Sequence, residues 1–297
     1  MNEAGLILST MGLGATREPP PDTRPPLDSG LWMQYLLDTC ATIDEVIASD
    51  EHVRIVSTVD HYLVADRYGN SAVVEFIDGE RLVHWGPDLP VAVLSNTPYA
   101  VCRDNWFAFL DYRPWLSADD SVNRFVTAGA AVVAFQHGTS DQAVKYAFNV
   151  LRDVGDGRSS QSFVYDGERR RVYYRTLANP QVRFIDLDAF DPDCHSPVQM
   201  LDVNADLPGD LSDDFFDFDY GLSLAFYRRC VESFGYTVTI PLEAIMTHLA
   251  SFPCTEAPAP AAFCGGGSMA RHGRRAGHDE TPGSQWRSDN RGSMHIE

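Results

Sequence analysis

The sequence has no apolar run near the eighteen residues that a membrane-spanning helix needs. It has no basic leader and only a short apolar run, Leu6 to Leu8, near its start, so as written it carries no signal peptide. Basic residues are scarce: 23 Lys and Arg stand against 42 Asp and Glu, a net charge of -19. Such a chain repels phosphate backbones, which argues against nucleic acid and anionic membrane as partners. Cysteines fall at 40, 102, 194, 230, 254 and 264, with no CxxC and no short Cys/His cluster, so neither a metal site nor a redox pair is expected. No cofactor motif and no internal repeat is evident. What remains is ordinary for a globular chain: 297 residues, 44% hydrophobic and 22% charged.

The hydrophobic middle, residues 53 to 99, organises the rest. Val53 to Val59, His61 to Asp66 and Ala72 to Ile77 read as strands, with Leu82 to His84 and Val91 to Leu94 on either side of Gly86-Pro87. β-Branched and aromatic runs broken by Gly, Asn, Asp and Pro are hairpin signals. The last run ends in Ser95-Asn96-Thr97-Pro98-Tyr99. A polar Asn at the end of a buried strand, held by a following Pro, is a natural place for a site.

Before this middle, Asn2-Glu3-Ala4-Gly5 reads as a tight turn feeding a strand whose pairing partner either precedes it or arrives later in the chain. A Pro-rich loop spans Thr16 to Pro26. Leu31 to Thr39 has helical spacing, with Trp32, Met33 and Tyr35 expected in the core. Thr42-Ile43-Asp44-Glu45 is a capping box that opens a second helix.

After the middle, Trp106 to Trp115 is an aromatic-rich link. Ser117 to about His137 reads as a helix with Val122, Phe125, Val126 and Val133 inward, and Thr139-Ser140-Asp141-Gln142 caps another. Phe163 to Asp166 and Arg171 to Thr176 form a hairpin, and Val182 to Leu187 a third strand. Apolar and charged residues alternate there, so one face is buried and the other meets water. An acidic stretch then leads into a helix ending near Phe234, and Pro241 opens a last one to about Phe252. Beyond Cys254, the segment 255–297 has no apolar periodicity. It carries five Arg and five acidic residues and reads as a disordered tail after a folded domain, 1–254.

Helices around two sets of strands indicate a layered α+β domain. Three polar positions stand at telling places: Asn2, Asn96 and Arg124. Each also has a plain explanation, as a turn residue, an Asx turn and a solvated helix charge. The ordered set Asn2-Glu3-Ala4-Gly5-Leu6, the strands His61 to Phe76, Leu94-Ser95-Asn96-Thr97-Pro98 and Ser121-Val122-Asn123-Arg124-Phe125-Val126 resembles the choloylglycine hydrolase family. That family holds the linear amide C–N hydrolases, penicillin V acylases among them. The likeness runs from about residue 2 to 250.

The resemblance implies an αββα sandwich of the N-terminal nucleophile hydrolase type. It implies an oxyanion hole built from the Asn2 backbone N–H and the Asn96 side-chain amide. Arg124 would keep the nucleophile's surroundings electropositive. It also implies a small-molecule N-acyl amide as substrate, no cofactor, and a homo-oligomer as a possible assembly. In the family the nucleophile is a Cys at the mature N-terminus, whose free amine, with a pKa near ~8, acts as base.

Here Asn2 follows Met1, and no cysteine lies in a matching segment. The expectation is therefore a partial domain that lacks its first strands, is inactive alone, and leaves apolar sheet edges open. The alternative is a non-catalytic binding or interaction protein that retains the fold. Cys194-His195 is not an attractive substitute, because adjacent residues point apart and cannot easily share a proton. The compartment is open: cytoplasmic as written, periplasmic or secreted if an upstream signal belongs to the protein.

Overall fold

A computed structural model describes residues 1–111, 117–136, 138–155, 159–191, 196–234, 241, 243, 295 and 296. Strand β1 (Ile7–Gly12) and the short β2 (Pro26–Asp28) precede helices α1 (Ser29–Thr39) and α2 (Ile43–Ala48). Then come β3 (Arg54–Val56), β4 (Asp60–Ala65), β5 (Ser71–Ile77) and β6 (Glu80–Trp85). Helices α3 (Tyr99–Asp111), α4 (Asp120–Ala134) and α5 (Ser140–Val154) follow. Strands β7 (Gln161–Asp166), β8 (Arg171–Thr176) and β9 (Arg183–Asp186) form the second sheet's centre. Two-residue strands lie at Gln199–Met200, Gly209–Asp210, Phe216–Asp217 and His295–Ile296, and a further helix at Tyr220–Phe234.

The first sheet is antiparallel in the order β1-β4-β5-β6, with Ile7 opposite Ala65 and Tyr62 opposite Val74. Strand β1 is thus an edge strand, and its pairing partner does arrive later in the chain. Asn2, Gly5 and Leu6 close the turn before it, with Gly5 at φ +83, a conformation that suits glycine. The second sheet has β8 between β7 and β9, with Gly209–Asp210 beside β9 and His295–Ile296 beside β7.

Both faces of the first sheet are covered. Leu6, Leu8, Tyr62, Val64, Val74 and Phe76 meet Trp32 and Leu36 of α1 and Ile43 and Val46 of α2. On the other face Leu63 and Val73 meet Tyr99 and Cys102 of α3 and Phe125 and Val126 of α4. Val144, Phe148 and Leu151 of α5 cover the second sheet at Val164 and Tyr173. The capping boxes expected at Thr42 and Thr139 both form, each hydroxyl accepting from the backbone three residues on. Gly129 of α4 lies against Trp106 of α3 so closely that a Cβ there would come within 3.0 Å of the indole.

Four details depart from the sequence expectation. Val91 to Val93 is not a strand. The carbonyl of Val91 accepts from the Tyr99 hydroxyl and from the amide of Val93, so it is not offered to a ladder, and both valines instead enter the core beneath α3. Trp106 to Asp111 is not a link but the end of α3, where Trp106 is buried and stacks on Phe109. Val133, expected inward, is 63% exposed. Arg183, expected to face water by alternation, is fully buried. Its guanidinium lies 4.6 Å from the Tyr174 ring centre and donates to the Ala205 carbonyl at 2.9 Å. The expected helix after Pro241, the pair Cys194-His195 and nearly all of the tail lie outside the described residues.

Trp32 is 2% exposed and packs on Tyr62 at 4.8 Å and Phe76 at 6.0 Å between ring centres. Replacing it with Ala removes a buried ring between α1 and the sheet. The expected loss is ~3–5 kcal/mol of unfolding free energy, read from urea titrations of both proteins.

Candidate functional site

The site is built where the end of β1, a five-residue loop and the start of α4 meet. Asn96 sits in the loop Ser95 to Tyr99, between the buried Val91 to Val93 segment and α3. Its Nδ2 donates to the carbonyl of Gly12, the last residue of β1, at 2.9 Å. Its Oδ1 accepts from Arg124 Nη2 at 3.0 Å. A carbonyl only accepts and a guanidinium only donates, so these two contacts fix which way the amide faces. The second N–H of Asn96 is left pointing away from both, on an exposed residue.

Arg124 lies one turn into α4. Its Nε is held by Asp120 Oδ2 at 3.0 Å, an i,i+4 pair that aims the rest of the guanidinium at Asn96. Asp119 caps α4 through the amide of Ser121 at 2.9 Å and lies 3.2 Å from Thr97 Oγ1. Ser121 Oγ donates to Ser95 Oγ at 3.0 Å and lies 2.9 Å from Thr97 Oγ1. The cap that starts α4 therefore also ties the helix to the loop.

Beneath the loop is a buried polar cluster that sequence reading did not single out. Glu75, at the centre of β5, is 1% exposed. His61 stands across from it on β4, wholly buried, with Nδ1 2.7 Å from Glu75 Oε1. His84 on β6 reaches Glu75 Oε2 from the diagonal position at 3.2 Å. The amide of Tyr99 donates to Glu75 Oε1 at 2.9 Å. Burial pushes the Glu75 carboxyl up, but donors on His61, His84 and the Tyr99 backbone outweigh it and hold the group at about 2. The other ring nitrogen of His61, Nε2, faces the Ser95 carbonyl at 2.6 Å. The two ring nitrogens of His61 thus bridge the Glu75 carboxyl and the Ser95 carbonyl.

One signal could have found this cluster. A carboxylate inside Ala72-Val73-Val74-Glu75-Phe76 must be paired if the strand is buried, and a His in each neighbouring strand is a ready donor.

Over 112 residues the chain is 30% identical to the penicillin V acylase of Pectobacterium atrosepticum, a match covering 33% of this chain and 29% of that protein. Penicillin V acylase from Agrobacterium tumefaciens superposes with a TM-score of 0.65 at 24% identity, over 74% of this chain and 76% of that one. A variant of conjugated bile acid hydrolase from Clostridium perfringens gives a TM-score of 0.54 at 18% identity, over 64% and 73%. The chain therefore has the fold of these acylases and bile acid hydrolases, and over a third of its length it is similar in sequence to a penicillin V acylase. No family model matches it. Less than a third of the curated acylase's length is spanned by the match.

Within this fold, the three residues singled out by sequence do not all converge. Asn96 and Arg124 are in contact. Asn2 lies at the other end of β1, a strand of six residues and so roughly 17 Å long. The expected oxyanion role of the Asn2 N–H is corrected by its bonding, since that N–H donates to the Leu6 carbonyl at 3.0 Å. The Asn2 side chain donates to the carbonyls of Leu37 at 2.7 Å and Cys40 at 2.8 Å, capping the end of α1. Its plain reading as a turn residue is the one the geometry supports.

Cys102 approaches the loop, its Sγ 3.5 Å from Ser95 Oγ, but it is wholly buried. Burial pushes its thiol up to about 11, so it stays protonated and is a poor nucleophile.

Glu75 is more acidic in the folded protein than the ordinary 4.5, so its contribution to stability is complete above that pH and is lost as pH falls toward 2. Wild type is expected to lose ~3 kcal/mol across that window through this group. Glu75→Gln is less stable at neutral pH and shows a flatter acid limb, measured by urea unfolding at a series of pH values.

Proposed function

We propose that this chain carries the acyl-binding and oxyanion-stabilising part of a linear amide C–N hydrolase site. The observation that carries the reading is the Asn96 amide, oriented by Gly12 on one side and Arg124 on the other, with an N–H left to donate. A fixed amide donor beside a cation suits the charge that develops on the carbonyl oxygen of an amide under attack. The proteins it resembles are named as penicillin V acylases and a conjugated bile acid hydrolase, which agrees with a small-molecule N-acyl amide as ligand.

The nucleophile is the part this reading assigns elsewhere. Asn2 has no nucleophilic atom, Cys102 is buried and protonated, and Cys40 is buried under α1. Among the described residues β1 is the edge of the first sheet, and this reading sets a strand bearing a terminal Cys beside it. The chain by itself then binds the amide and does not cleave it. The same observations support a second reading, a binding protein that keeps the fold without the chemistry. The two differ in whether a Cys-bearing segment restores turnover.

The test uses penicillin V and a panel of N-acyl amides against the 297-residue protein. Binding without release of the amine is expected, with Asn96→Ala and Arg124→Gln each weakening it by about tenfold, the scale of one charge-assisted hydrogen bond. Failure of every amide in the panel to bind overturns the reading. So does turnover that survives Asn96→Ala undiminished.

A further inference from the structure

The Asn96 loop is gripped at both ends by one buried pair. The carbonyl of Ser95, before Asn96, lies 2.6 Å from His61 Nε2, and the amide of Tyr99, three residues after it, donates to Glu75 Oε1 at 2.9 Å. His61 and Glu75 are themselves 2.7 Å apart. Neither touches Asn96, yet both backbone attachments of its loop end on them. The oxygen of Glu75 that faces His61 is the same one that holds Tyr99, so a change in the pair moves both anchors together.

We propose that His61 and Glu75, steadied by His84, are positioning residues that set the orientation of the Asn96 amide in the site. The proposal rests on the reading of Asn96 as the ligand-facing donor. The groups that face His61 and Glu75 are few and come from every packed element. Strand β6 brings His84, and α3 brings Tyr99 and Cys102, of which Tyr99 donates to Val91 and Cys102 stays a thiol. Among the described residues the cluster holds no second carboxylate, and the Glu75 carboxylate is shared among the donors that fix the loop.

A single hydrogen bond at the loop's start would leave its end free to swing, and one at its end would leave the start free. Two anchors on rigid strands, bonded to each other, restrict a five-residue loop to one conformation without using the side chain that must meet a ligand. The contacts of Ser95 and Thr97 with Ser121 then place that loop against the helix carrying Arg124.

The experiment follows the side-chain amide signals of Asn96 in nitrogen-15-labelled protein, assigned by their loss in Asn96→Ala, together with penicillin V binding. His61→Gln and Glu75→Gln are compared with wild type and with Leu151→Ala, a core variant under α5 that is destabilised without touching the loop. The expected result is a shifted Asn96 amide and about tenfold weaker penicillin V binding in both polar variants, with both unchanged in folded Leu151→Ala. If either polar variant fails to fold, His84→Gln, which removes the 3.2 Å contact with Glu75 and the ring packing on Tyr99, is expected to move the amide in the same direction by less.

An Asn96 signal that stays in place in folded His61→Gln, Glu75→Gln or His84→Gln overturns the proposal. So does a signal that moves equally in Leu151→Ala, or one that moves while binding is unchanged. If wild type binds no penicillin V but the signal still moves in the polar variants alone, the amide-binding reading fails and the positioning of Asn96 by the pair stands.

Discussion

The carboxylate of Glu75 is the point on which the first sheet, α3 and the Asn96 loop converge. It is a charge at the centre of an inner strand, and an unpaired charge there would be expensive. Three donors from three different elements meet it: His61 from β4, His84 from β6 and the amide that begins α3. Each donor satisfies the charge and in doing so fixes its own element. The sheet register, the start of α3 and the position of Ser95 are thereby consequences of one desolvated group that had to be paired.

Around this centre the apolar layers do the bulk work of folding. Trp32, Tyr62 and Phe76 join α1 to one face of the sheet, and Leu63 and Val73 join the other face to α3 and α4. Apolar burial is indifferent to small rotations, whereas hydrogen bonds are not. The division of labour is plain at Ser121. Its backbone is capped by Asp119, while its hydroxyl meets Ser95 and Thr97, so packing brings α4 to the sheet and polar contacts decide how it sits there.

Much of the fold was legible in the sequence because its signals are local. The capping boxes at Thr42 and Thr139, the strands on either side of Gly69-Asn70 and the hairpin across Gly167 depend on residues a few positions apart. The pattern of helices around two sets of strands carried the α+β class, and the resemblance pointed to Asn96 and Arg124, which do meet. The failures are non-local. Asn2 looked like a site residue because it opens a motif, but its bonding is set by the end of α1, whose carbonyls lie about 35 residues further on. The Glu75 cluster needs the β4–β5–β6 register before its partners become neighbours. Val91 to Val93 has strand-like composition, yet its carbonyl partner is a hydroxyl eight residues away.

The close approach of Gly129 to Trp106 gives the candidate site a lever. Gly129 lies five residues beyond Arg124 on α4, about 7.5 Å along the helix axis. A helix is stiff over that distance, so a side chain at 129 that tips α4 away from the indole tips its other end as well. The aim of the Arg124 guanidinium at Asn96 is therefore held by a contact that neither residue makes. Sequence drift at a buried glycine, far from anything chemical, can detune the site as surely as a change in the site itself.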